Sequence, residues 1–342
     1  MALLWAPVVQ VSNTTNRNTK TVQQIYTYQY TTVYKIEDTK SGVVATRLVD
    51  SLFAANDDTK PSGEFAPFGC FAASVGKASK CYETGSVCHQ RSVYLLGAWG
   101  DGLQLARLSL QDLSKSEDAY SFWQSESCTF SAVGSTSKFS PFTTSYLQGS
   151  FSSGSISYSP FFRTFLMVYM TADADSTLCL RYLDLDVLSC TSNNTIWQQG
   201  GINGQGIAME DAEAITHYAW SDPQILFKTP IQTDSMLRYN YAGMAHAEYF
   251  TRQYYQPWMY MNGGIDSSMR SPWLGYEVVT EAAAGGDGKH LMLSWTTSGE
   301  DGYAIVMAKV EFERTQGSSA NGQGLTCHWK ALLGAACVLM VV

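Results

Sequence analysis

HLMLSWTTSGEDGYAIVMAKVEF, residues 290–312, is the stretch whose reading decides the fold. Leu291, Leu293 and Trp295 alternate along its first half, and Ile305, Met307, Lys309 and Glu311 take every second position along its second. A period of two is the mark of a strand with two distinct faces. Between the halves, Glu300-Asp301-Gly302 supplies residues suited to a tight turn, because Gly takes positive φ without steric penalty. The stretch reads as a β-hairpin. The same plan recurs in Ser92–Leu110 around Gly100-Asp101-Gly102, and in Thr164–Asp186 around Ala172–Asp175. A looser copy runs through Ile25–Leu52, turning at Asp38–Gly42. Repeats of one hairpin unit point to a radial all-β architecture.

Between the hairpins lie short segments dense in small residues: Phe65–Val75, Gly149–Pro160, Tyr239–Phe250 and Trp273–Glu281. Such strands suit a propeller axis, where blades crowd together and side chains must be small. Ser121–Phe130 and Glu213–Phe227 read as outer strands. No helix of ordinary length is visible; 210–216 and 281–284 have helical composition but are too short or uncapped. The expectation is an all-β chain forming a single β-propeller with five blades over residues 1–314, its N-terminus incomplete. A β-sandwich is the alternative, since it too has evenly spaced short strands.

Composition narrows the function. Charged residues are 15% of the chain and aromatics 13%, with 20 Tyr and 9 Trp. Low charge and abundant Ser, Thr, Gly and Tyr suit a secreted β-rich protein, and ring faces pack well on the apolar faces of sugars, although Tyr and Thr are also good strand formers. The net charge is −8 with no Lys/Arg run, which excludes the basic footprint that nucleic acid requires. The expected partner is a polysaccharide or other glycan, bound by a monomer.

The two ends and the cysteines speak to location. The start, MALLWAPVVQVSNTT, lacks a basic residue before its apolar run and is broken by Pro7, so it makes a poor secretory leader. Asn13-Thr14-Thr15 and Asn193-Asn194-Thr195 are nonetheless glycosylation sequons. Cys70, Cys81, Cys88, Cys128, Cys179 and Cys190 form an even set compatible with disulfides, with Cys179–Cys190 as one pairing and the other four supplying two more. Residues 315–330 form a small and polar spacer, and 331–342, ALLGAACVLMVV, an apolar tail. That order matches a glycolipid-anchor signal; a tail anchor or a terminal segment docked on the core are the alternatives. The expected location is extracellular or at the cell surface, with membrane contact only through this tail.

Three stretches carry a resemblance: FSSGSISYSPFFRTFLMVYM (151–170), HYAWSDPQILF (217–227) with YAGMAHAEY (241–249), and residues 290–312. Together they resemble a propeller family of bacteria and fungi, long known only as a domain of unknown function and since linked to endo-D-arabinan hydrolysis. The general plan is similar to the five-bladed propellers of arabinanase-type glycoside hydrolases, and the likeness covers roughly Ile25–Phe312. It implies a glycoside hydrolase acting on an arabinan-type polysaccharide. Two departures stand out. No equivalent of the family's early Gly-Asp-Thr motif is present, and the axial Gly-Glu-φ-Ser segment reads Gly154-Ser155-Ile156-Ser157, without the carboxylate. A non-catalytic carbohydrate-binding surface protein is therefore the alternative.

Glycoside hydrolysis needs two carboxylates across the sugar, about 5–5.5 Å apart for retention or about 6.5–9.5 Å for inversion. The candidates near an axis are Glu64, Glu248, Glu277 and Glu281, of which the first three are carried forward. His246-Ala247-Glu248 is the best constellation, because residues two apart on a strand share one face and a His can orient a neighbouring carboxyl. A structural hydrogen bond is the simpler role for that pair. Asp101, Asp175 and Asp301 occupy equivalent turns and read as turn chemistry. No cofactor is implied. An axial calcium lacks support in the sequence, since no DxDxDG run occurs and Ala172–Asp175 is only a distant match.

Overall fold

The computed structural model describes residues 2–15, 22–40, 42–54, 68–75, 92–99, 101–132, 145–173, 175–189, 212–231, 239–247, 253–257, 276–280, 290–299, 302–312 and 339–340. The first sheet is β1 (Ala2–Thr15), β2 (Val22–Thr39) and β3 (Gly42–Leu52), antiparallel in that order. The second holds β4 (Ala72–Val75), β5 (Ser92–Trp99), β6 (Gly102–Ser109), β7 (Ser121–Gln124) and β8 (Thr129–Ala132) in sequence, with β9 (Leu147–Gln148) also on β6. The third runs β10 (Ser153–Ser159), β11 (Thr164–Met170), β12 (Thr177–Leu188) and β13 (Tyr218–Trp220), with β14 (Gln224–Lys228) also on β12. β15 (Tyr241–His246) precedes a separate hairpin of β16 (Gln253–Pro257) and β17 (Tyr276–Thr280). The fourth sheet then orders β15, β18 (His290–Gly299), β19 (Gly302–Glu311) and β20 (Leu339–Met340). The only helical turns among the described residues are 3₁₀ segments at Leu110–Asp112, Glu117–Ala119 and Ala212–Thr216.

All four hairpins expected from the sequence are present. Their ladders close at Thr39↔Gly42, Trp99↔Gly102 and Gly299↔Gly302, and β11 pairs with β12 from Leu166↔Tyr182 to Met170↔Leu178. In the opening hairpin Leu291, Leu293 and Trp295 are buried, as their alternation requires. Their cross-strand partners are Val310, Ala308 and Val306, so the buried face of β19 is the set opposite to Ile305, Met307, Lys309 and Glu311.

Three apolar cores fill the spaces between successive sheets. Trp5, Val33 and Phe53 of the first sheet and loop meet Val93, Leu95 and Leu108 of the second. Phe53 sits within ring contact of Phe68, Tyr120 and Phe122, at centroid distances of 5.1, 5.0 and 6.1 Å. Tyr94, Leu96, Leu103 and Leu105 meet Phe165, Met167 and Tyr169 across the next space. Leu166, Val168 and Leu178 meet Leu291, Leu293 and Trp295 across the third. Middle strands thus bury both faces, and for that reason Phe165–Met170 reads as an unbroken apolar run rather than an alternation. This face-to-face succession of sheets is a propeller arrangement, not a two-layer sandwich.

It has four blades, not the five expected. The difference lies in one segment. Residues 273–281 were expected to form an axial strand of their own; instead β17 pairs with β16, and β15 is the strand that flanks the last hairpin, Ala245 facing Leu293. Of those two expected inner strands, only β15 therefore joins a blade; β17 stays in the separate β16–β17 hairpin. The N-terminal stretch is also a strand, β1, paired with β2 along its whole length. Pro7 is tolerated there because β1 lies at a sheet edge, where a missing N–H can be spared. Within the apolar tail, Leu339–Met340 adds β20 beside Ile305 and Ala304.

The cysteine pairing is corrected. Cys128 is disulfide-bonded, but Cys70 and Cys179 are free thiols. Alternation turns Cys179 inward among Met167 and Tyr169, which rules out the expected bridge to Cys190. Cys70 lies with its Sγ 3.9 Å from the Trp5 carbonyl, so two bonds cannot come from the first four cysteines.

Candidate functional site

The axis is built from β4, β10 and β15, which lie side by side. Their residues are small because nothing larger fits. A Cβ added to Gly154 would meet Phe71 Cζ at 2.5 Å and Tyr169 Cβ at 2.8 Å, and one on Gly243 would meet Leu178 Cδ2 at 2.8 Å. β10 and β15 belong to different sheets, yet two serines tie them together. Ser153 Oγ donates to the Gly243 carbonyl at 3.0 Å, and the Ala245 N–H donates to Ser155 Oγ at 3.0 Å. The constant offset shows that the two strands run parallel.

Of the expected site residues, His246 ends β15. Its Nε2 lies 2.8 Å from Ser294 Oγ, a diagonal contact within the blade, since His246 pairs with Met292 and Met244 with Ser294. Glu277 sits on β17 opposite Gln256, in the separate hairpin rather than in the sheet that carries His246. Glu64 and Glu248 lie outside the described residues. The structure thus brings His246 to the inner strand of the last blade and places Glu277 on a different sheet.

The Trp220-Ser221-Asp222-Pro223 motif proves architectural. Pro223 separates β13 from β14, both of which pair with β12. At the break, Ser221 N–H donates to the Tyr182 carbonyl at 2.8 Å and Ser221 Oγ accepts from the Tyr182 N–H at 3.1 Å. Trp220 Nε1 donates to Tyr146 Oη at 2.7 Å, and Tyr146 in turn donates to the Ile215 carbonyl at 2.7 Å. Burial pushes the Tyr146 phenol well above its ordinary range.

The residue missed in the sequence is Arg181. On β12 it shares a face with Cys179 and Leu183, turned to the core between the second and third sheets. Only 8% of it is exposed. Nη1 donates to the Ser221 carbonyl at 2.8 Å, Nε to Tyr169 Oη at 3.4 Å, and Cζ stands 5.9 Å from the centroid of the Phe151 ring. It forms no ion pair among the described residues. Two acids of the same hairpin are committed elsewhere. Asp175 accepts from Thr171 Oγ1, Thr177 N and Thr177 Oγ1, and Asp173 accepts from Ser150 Oγ. The signal in the sequence was a lone cation inside the otherwise apolar run TLCLRYL, residues 177–183.

No protein-family model matches the chain, and no curated protein matches its sequence.

Proposed function

We propose that this chain is a non-catalytic, glycan-binding propeller of the cell exterior, related in plan to the arabinanase-type propellers it resembles. One observation carries the reading. At the axial position where a hydrolase of that plan would hold a carboxylate, Ser155 accepts a backbone hydrogen bond that joins two blades. A hydroxyl engaged in strand packing cannot act as general acid or base for a glycosidic bond. The disulfide at Cys128 and the exposed Asn13 of the first sequon favour an oxidising, extracellular setting. The test is a glycan array on the full chain, paired with a turnover assay on the glycans that bind. Binding without turnover supports this reading, and turnover sinks it.

The second reading is a glycoside hydrolase in which Glu248 is the acid/base, with Glu277 or Glu64 as its partner. The observation in its favour is His246 on the innermost strand, two residues before Glu248. Its test is Glu248→Gln: if any hydrolysis of arabinan-type substrate survives that change undiminished, Glu248 is not the acid/base.

A further inference from the structure

Arg181 is a buried cation that meets no counter-charge among the described residues. Burying a charge without an opposite charge is strongly unfavourable. Its neighbours on the same strand face, Cys179 and Leu183, show that an apolar side chain suits the position. The surroundings hold the guanidinium firmly, through the Ser221 carbonyl, the Tyr169 hydroxyl and the Phe151 ring, but none of these supplies negative charge. The two bonds use two of its five N–H donors.

The free side of the fork faces a tight backbone turn. A Cβ built on Gly149 would stand 3.5 Å from Nη2, and Gly149 has φ of +145°, so the chain passes the guanidinium where a side chain is disfavoured. The Gly149 N–H is bound to the Asp101 carbonyl at 3.0 Å, and Ser150 Oγ receives the Ala172 N–H at 3.1 Å. The turn is therefore pinned to the ends of two neighbouring hairpins, β5–β6 and β11–β12.

We propose that Arg181 recognises a carboxylate on the bound ligand, which makes that ligand an acidic glycan of the uronate class. This deepens the glycan-binding reading above and rests on it for the sugar, though not for the carboxylate. A planar guanidinium offers two parallel N–H groups that match a carboxylate oxygen pair, and a charge-assisted bond in a dry setting is among the stronger polar contacts. The ligand's charge supplies what the fold leaves out. With a net charge of −8 the protein as a whole repels acids, so selectivity for one requires a specific cation such as this.

The experiment uses the full chain, an oligogalacturonate, and the same oligomer with its carboxyls methyl-esterified, with affinities read by calorimetry. The expected result is that the acid binds on the order of 10-fold or more tightly than the ester, a margin typical of one charge-assisted contact. In Arg181→Met that ratio falls to about one, while Arg181→Lys, which keeps the charge but loses the fork, retains part of it. Equal binding of acid and ester by the native chain overturns the proposal, and so does a preference that survives in Arg181→Met. If Arg181→Met does not fold, the native ratio and Arg181→Lys decide the matter. If neither oligomer binds, the glycan reading fails, and acetate then tests the carboxylate site alone. A rise in unfolding midpoint with acetate that is larger for the native chain than for Arg181→Lys upholds the site, and the absence of that difference overturns it.

Discussion

Ser155 and Ala245 are joined across the propeller axis: the Ala245 N–H donates to Ser155 Oγ at 3.0 Å, linking residues ninety apart in the chain. With Ser153 and Gly243 two residues earlier, the contact stands in for a parallel ladder between strands that belong to separate sheets. If so, Ser155→Ala leaves the Ala245 N–H unpaired in a half-buried place and lowers stability by roughly 1–3 kcal/mol. Ser153→Ala, which removes a donor from a carbonyl with a second lone pair, costs about 1 kcal/mol or less. Urea unfolding of both variants checks this, and an unmoved midpoint in Ser155→Ala contradicts the bridge.

Gly154 and Gly42 separate two reasons for a glycine. Gly154 has no room, with Phe71 Cζ 2.5 Å from where a Cβ would sit. Gly42 has open space on all sides but a φ of +119°. Gly154→Ala forces Phe71 and Tyr169 aside and costs roughly 1–3 kcal/mol. Gly42→Ala pays in backbone strain alone, about 1 kcal/mol. A Phe71→Leu background should relieve the first and leave the second unchanged, as a double-mutant cycle on unfolding free energies will show.

Cys70 should be inert in the folded protein. Burial pushes its thiol up to about 12, against a smaller opposing effect of the Thr31 hydroxyl. Iodoacetamide at pH 8.5 is expected to leave Cys70 unmodified until denaturant is added, as peptide mass spectrometry reads out. The linkage has a definite sign. In the unfolded chain the thiol ionises near 8.5, so between about pH 8.5 and 12 the unfolded state holds fewer protons and stability falls as pH rises. Cys70→Ala should flatten that alkaline limb. Tyr120, raised to about 12 by burial, tilts it the same way and remains in the variant.

Asp175 contributes at the other end of the pH scale. Burial alone would raise its carboxyl, but hydrogen bonds from Thr171 and Thr177 and the charge of Lys228 outweigh that and hold it below the ordinary range. A depressed folded pKa gives stability that is present above the unfolded value of about 3.9 and lost as pH falls through the folded one. Asp175→Asn is expected to be less stable than the native chain at pH 7, with the gap narrowing below about pH 4. Thermal midpoints from pH 7 to pH 3 measure the gap, and a constant difference across that range refutes the assignment.

Much of the architecture was legible because strands with a common turn betray themselves locally. Leu291, Leu293 and Trp295 had to share a face, and the three axial segments had to be small. β1 escaped notice because Pro7 and an unalternating apolar run conceal an edge strand, whose faces are settled by its neighbour β2. Cys179 looked pairable by spacing, but spacing carries no direction, and the fold turned its sulfur into a core. Of the expected site residues, Glu277 falls on the β16–β17 hairpin and His246 bonds Ser294, while Glu64 and Glu248 lie outside the described residues.

Residue periodicity and turn chemistry are short-range properties, set by backbone sterics and by which atoms face water, and they dictated the all-β class and the four hairpins without help from distant parts. The choice of partner for each inner strand is long-range. β15 joins β18 across more than forty residues because burying Leu291, Leu293 and Trp295 against the third sheet rewards that closure, whose entropic penalty grows only slowly with loop length. That same packing reduced five expected blades to four, engaged Ser155 in an inter-blade bond, and left Arg181 buried beside neutral groups. No local pattern encodes the neighbours of a buried cation, since Ser221 and Phe151 come from elements distant in the chain.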